Sequence, residues 1–134
     1  MDVDDLHHVA MAVEDLDEAV ATYERLFGAT VELRGRIEGQ GVEAAYLRVG
    51  AGRIELLSPL AQDTPVGRFL ARRGPGMHHV AFAVSDVGAA VRELERAGAD
   101  VIDIEPRPGL GGHEVSFVHP DSAHGVLVEV VSHG

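Results

Sequence analysis

At 134 residues and 46% hydrophobic content, the chain has the size of one ordinary domain and enough apolar material for a real core. All eleven basic residues are arginine and the formal net charge is −11, which excludes nucleic acid and anionic membrane as expected partners, since both need a concentrated positive face. Cysteine is absent, which excludes disulfides and thiolate chemistry and points to a reducing cytoplasm.

The acidic start MDVDDLHHV lacks the basic residues and apolar run of a secretion signal, and no apolar stretch is long enough to span a bilayer. Residues 6–13, LHHVAMAV, read as a buried strand. Asp15-Leu16-Asp17 opens a helix over 17–27, with helical spacing through Ala19, Val20, Tyr23 and Phe27 and with Gly28 placed to end it. Short strands fit 30–35, 42–49 and 53–58, punctuated by Gly39, Gly41, Gly50 and Gly52. A connector over 59–76, rich in proline and glycine, carries a short helix at 65–73. Then come a strand at 78–84, a helix at 86–97, and strands near 100–104, 114–119 and 126–131. The expectation is a single α+β domain made of two βαβββ modules, about 5–58 and 77–132, forming a curved mixed sheet.

The two modules repeat each other. Residues 7–25, HHVAMAVEDLDEAVATYER, align with 78–96, HHVAFAVSDVGAAVRELER, at eleven of nineteen positions and an offset of 71. RIELLSP around Glu55 and VLVEVVS around Glu129 follow in the same order. Each half thus supplies a strand with a histidine and, later, a strand with a glutamate.

Strand parity places these groups, because alternate side chains point to opposite faces. His8, Ala10 and Ala12 share one face, and Val9, Met11 and Val13 share the face expected under the helix; His79, Ala81 and Ala83 oppose Val80, Phe82 and Val84 in the same way. Glu55 and Glu129 lie opposite the apolar neighbours on their strands. Carboxylates buried there without partners would be costly, and a shared cation resolves the cost. His8, Glu55, His79 and Glu129 are therefore the candidate ligands of a metal site. Two imidazoles and two carboxylates suit Co²⁺, Mn²⁺, Ni²⁺, Fe²⁺ or Zn²⁺, and four protein ligands leave an octahedral ion two positions for water or substrate. His7 and His78 face the other way and are assigned to packing or to hydrogen bonds behind the ligands. His113, His119, His124 and His133 are read as turn or surface residues. Arg34, Arg36, Arg48, Arg72, Arg73 and Arg107 are the arginines that could serve a small phosphorylated ligand.

The motifs HHVAMAV, QGVEAAYL, RIELLSP, GMHHVAFAV and FVHPDSAHGVLVEV, in this order, resemble the vicinal oxygen chelate (glyoxalase/bleomycin resistance/dioxygenase) superfamily. DTPVGRFL at 63–70 and EPRPGLGGHEVSFVHP at 105–120 are similar to its methylmalonyl-CoA epimerase branch in particular. The resemblance implies a cytoplasmic homodimer with paired βαβββ modules and a divalent metal, commonly Co²⁺. Such an enzyme acts on an acyl-CoA, interconverting (2R)- and (2S)-methylmalonyl-CoA by metal-assisted α-proton abstraction through an enolate. The family ligands fall on His8, Glu55, His79 and Glu129, and some relatives carry Gln at the position of Glu55. A glyoxalase I-type lactoylglutathione lyase would use a similar ligand set. An extradiol dioxygenase would use two histidines and one carboxylate, and a metal-free binding module of the same fold would use none.

Epimerisation removes a proton from one face and returns it on the other, so two acid/base groups are expected. Some family members place a catalytic glutamate two residues after the valine of QGV, where this chain has Ala44. Glu43 sits one residue earlier and points to the core side by parity, unless a β-bulge near Gly41 rotates it. Glu129, doubling as ligand and proton acceptor, is the other catalytic candidate, and Glu114 is read as an acid on the ligand face of its strand.

Overall fold

The computed structural model of the chain describes residues 1–133. They divide into two compact units, residues 8–78 and residues 1–7 with 79–133. The first strand, β1 (Asp5–Ala12), contributes to both.

In the unit of residues 8–78, β1 leads into helix α1 (Leu16–Phe27). Asp15 caps it, its carboxylate accepting from the Glu18 N–H at 3.0 Å, which satisfies one of the orphan donors of the first turn. Gly28 closes it in the left-handed region at φ 66°, a conformation that glycine adopts without steric cost. Strands β2 (Thr30–Ile37), β3 (Val42–Val49) and β4 (Gly52–Pro59) follow, antiparallel to one another in turn. β4 runs parallel to β1 with Ala10 opposite Glu55. α1 lays Leu16 and Val20 on Ala45, Leu47 and Leu56, with Met11 and Val13 beside them, as the parity of β1 predicts. Helix α2 (Pro65–Arg73) completes this unit, capped by Thr64 and closed at Gly74. Its bounds coincide with those read from the sequence.

The other unit carries β5 (Gly76–Val84) from His79 onward, helix α3 (Val87–Arg96), and strands β6 (Arg107–Pro108), β7 (Glu114–Val118) and β8 (Val128–Ser132). β5 and β8 are parallel with Ala81 opposite Glu129, the register of the first unit repeated. α3 is capped by Asp86 and packs Val87, Ala90 and Val91 against Val84, Val101 and Val130. Ala81, Val115, Phe117 and Val131 form a separate apolar cluster on the opposite face.

Two expectations are corrected here. No strand occupies 100–104; Val101 makes an isolated bridge to Val118. Ile102 N–H still donates to the Phe117 carbonyl at 2.8 Å, but Asp103 breaks the ladder. Its carboxylate accepts from Phe117 N–H at 3.3 Å and its carbonyl accepts from the Ser116 hydroxyl at 2.6 Å, so side-chain bonds replace the strand pairing. Glu114 also lies on the other face from that expected. Ser116 pairs with Val130, which contacts α3, while Phe117 pairs with Glu129, so Glu114 shares the helix-side face with Ser116 and is exposed.

Candidate metal centre

His8 and Glu55 meet because β1 and β4 run parallel with Ala10 opposite Glu55, and His8 lies two residues before Ala10 on the same face. His8 Nε2 stands 3.3 Å from Glu55 Oε1. His79 lies two residues before Ala81 in the same way, and His79 Nε2 stands 3.6 Å from Glu129 Oε2. The four side chains are buried, with residue exposures of 1% for His8 and 4% for each of the others. Ionised carboxylates at that depth need a compensating partner. In each unit a nitrogen donor and an oxygen donor face one another across a parallel strand pair. That donor chemistry fits a divalent first-row cation.

The alanines that share these faces, Ala10, Ala12, Ala81 and Ala83, are buried as well. Met11 and Val13 pack on the opposite side, under α1.

Each imidazole also leans on an aromatic ring. Tyr46 on β3 pairs directly with Glu55, and its ring centroid lies 5.1 Å from that of His8 at an interplanar angle of 53°. Phe117 on β7 pairs directly with Glu129, its ring 5.2 Å from that of His79 and edge-on at 85°. These two residues differ by 71 in number, the offset of the repeat, and that signal was available in the sequence.

Glu43 is placed elsewhere. Its register neighbours Ala45 and Leu47 pack beneath α1. Its carboxylate accepts from Arg34 Nε at 3.3 Å, and Arg34 also donates to Asp17 of α1 at 2.6 Å. The hydrogen bond to Asp17, with a smaller contribution from Glu43, raises the Arg34 pKa above its ordinary value. The irregularity in this sheet lies between Val31 and Leu33 on β2, so no bulge at Gly41 turns Glu43 toward His8.

His78 packs edge-on against Phe69 of α2 at 4.9 Å, and burial lowers its pKa to about 4, so it is neutral at neutral pH. His119 accepts from Asp121 N–H through Nδ1 at 3.0 Å, His124 takes a left-handed turn at φ 56°, and His133 Nε2 lies 2.6 Å from the Asp4 carboxylate. With His113, which ends a short 3-10 turn, these histidines are turn and surface residues. No helix among the described residues is long and apolar enough to cross a membrane.

Residues 7–117 match the glyoxalase/bleomycin resistance protein/dioxygenase superfamily. The chain is 37% identical over 126 residues to the mitochondrial methylmalonyl-CoA epimerase of Homo sapiens, covering 93% of this chain and 72% of that one. It is 39% identical over 127 residues to the ethylmalonyl-CoA/methylmalonyl-CoA epimerase of Cereibacter sphaeroides, covering 93% and 95%. A variant of Streptomyces coelicolor methylmalonyl-CoA epimerase in complex with 2-nitronate-propionyl-CoA superposes with a TM-score of 0.94 at 36% identity, covering 98% of this chain and 95% of that one.

Proposed function

Because the chain belongs to the glyoxalase/bleomycin resistance protein/dioxygenase superfamily, we propose that it is an epimerase interconverting the (2R) and (2S) forms of methylmalonyl-CoA. What carries the reading is the duplicated buried imidazole–carboxylate pair, set on a chain whose epimerase relatives match it along 93% of its length.

His8, Glu55, His79 and Glu129 are proposed to hold one divalent ion together. When bound, such an ion polarises the thioester carbonyl and acidifies the α-hydrogen beside it. His8 and His79 offer Nε2, Glu55 offers Oε1 and Glu129 offers Oε2. Of the two catalytic candidates, Glu129 is on the imidazole face and is proposed as a proton-transfer group. Glu43 is tied to Arg34, which also bonds Asp17 of α1, and is not. Co²⁺ is proposed as the ion and the homodimer as the working assembly, both on the family resemblance. A cytoplasmic setting rests on the lack of cysteine.

The test is α-proton exchange of methylmalonyl-CoA in D₂O, followed by NMR, with chelated protein against protein reloaded with Co²⁺. Metal-dependent deuterium uptake above the spontaneous rate, with coupled mutase turnover showing net inversion, is expected. Stoichiometric metal with no exchange would overturn the epimerase reading, and lactoylglutathione formation from methylglyoxal and glutathione would replace it with the lyase.

A further inference from the structure

We propose that Tyr46 and Phe117 are positioning residues that set the ring orientation of His8 and His79 for metal binding, a role that rests on the ligand assignment above. The observation behind it occurs twice. In each unit an aromatic ring on the strand paired with the glutamate strand stands directly opposite that glutamate. The same ring touches the histidine, at 5.1 Å in one unit and 5.2 Å in the other. Tilted and edge-on contacts at this separation are the favoured arrangements of π-systems, and they restrict rotation of the imidazole about its own side-chain bonds.

Both residues are themselves held in place. Arg53 places its guanidinium 5.4 Å from the Tyr46 ring centroid. Arg53 is fixed in turn by Glu32, its Nε donating to Oε1 at 2.7 Å. Tyr46 is 4% exposed, so its ring has little freedom to leave. Phe117 is 8% exposed, and its backbone N–H is anchored by the Asp103 carboxylate at 3.3 Å. The Asp103 side chain that displaced the expected strand at 100–104 thus also fixes the residue that walls His79.

A metal ligand whose ring is free to rotate must be ordered on binding. Losing a hydrogen-bonding partner that orients a ligating histidine commonly costs about 10–100-fold in metal affinity, and an orienting ring is expected to act on the lower end of that scale. Phe117 does its part without a hydroxyl, so the aromatic ring is the shared element rather than the Tyr46 phenol.

The experiment measures Co²⁺ affinity and the visible ligand-field spectrum of the intact protein and of four variants: Tyr46→Leu, Tyr46→Phe, Phe117→Leu and Phe117→Tyr. The leucine variants are expected to bind Co²⁺ about tenfold or more weakly with an altered band shape, and Tyr46→Phe and Phe117→Tyr to restore both. Wild-type affinity and spectrum in Tyr46→Leu and Phe117→Leu would overturn the proposal. So would loss in Tyr46→Phe equal to that in Tyr46→Leu, which would assign the role to the hydroxyl. Should one leucine variant not fold, the other and the two aromatic exchanges decide the matter by the same criteria. Failure of the parent reading looks different, because the wild-type protein itself would then take up no stoichiometric Co²⁺.

Discussion

At the scale of single residues, the site is a problem of where carboxylates are allowed to be. Glu55 and Glu129 are buried at 4% exposure, whereas Glu43 sits at the margin with its charge answered by Arg34. The Glu43→Ala variant is therefore expected to keep kcat/KM within about threefold of the parent. Its stability should fall by less than ~1 kcal/mol, since exposed ion pairs contribute little. Collapse of turnover with metal still bound would return Glu43 to the reaction. Glu55→Gln and Glu55→Ala separate oxygen donation from charge. The amide keeps a donor oxygen and is expected to retain metal, while the alanine removes the donor and should weaken binding by more than tenfold in a direct Co²⁺ titration.

The histidines and glutamates were legible because a repeat and a strand period both pointed at them. Tyr46 and Phe117 obey the same offset of 71, but an aromatic residue in an apolar strand reads first as core. Glu114 was misread because the face of β7 is decided by its pairing with β8, Phe117 opposite Glu129, which no single strand's sequence reveals.

At the scale of elements, local chemistry settled the helices and side-chain competition unsettled one strand. Helix α2 was readable to its ends, because Thr64 and Pro65 open it and Gly74 closes it. The 100–104 segment has the β-branched residues of a strand, yet Asp103 takes over hydrogen-bonding groups that a ladder would need. Gly67 shows how far tertiary contact can reverse propensity. Inside a helix, alanine ordinarily stabilises by ~1 kcal/mol relative to glycine. A Cβ at Gly67, however, would come 2.4 Å from the Gln62 carbonyl oxygen and 2.7 Å from that of Ala61, both backbone atoms with little freedom to yield. Gly67→Ala is thus expected to destabilise the fold by ~1–3 kcal/mol, read as a lowered urea midpoint. A raised midpoint would show that the 61–62 turn moves aside at little cost.

At the scale of the molecule, the repeat makes a sharper demand than the fold alone. Each unit carries one histidine facing one glutamate, and a chain built of two such halves could hold either two ions or one. Two donors from each half are a poor complement for a first-row ion, whereas four donors of mixed nitrogen and oxygen type are a good one. One Co²⁺ per chain is therefore expected, and His8→Ala and His79→Ala should each reduce stoichiometric uptake to the same degree although they lie in different units. Two ions per wild-type chain, with one surviving in each variant, would mean that the halves bind separately. The thermal consequence follows from mass action. An ion that binds only the folded chain adds ~2.7 kcal/mol at a hundredfold excess over Kd, which for a chain of this size raises Tm by on the order of 10 °C. Both single-histidine variants should lose that increment together, and an increment that survives in either one would place the ion on the other half alone.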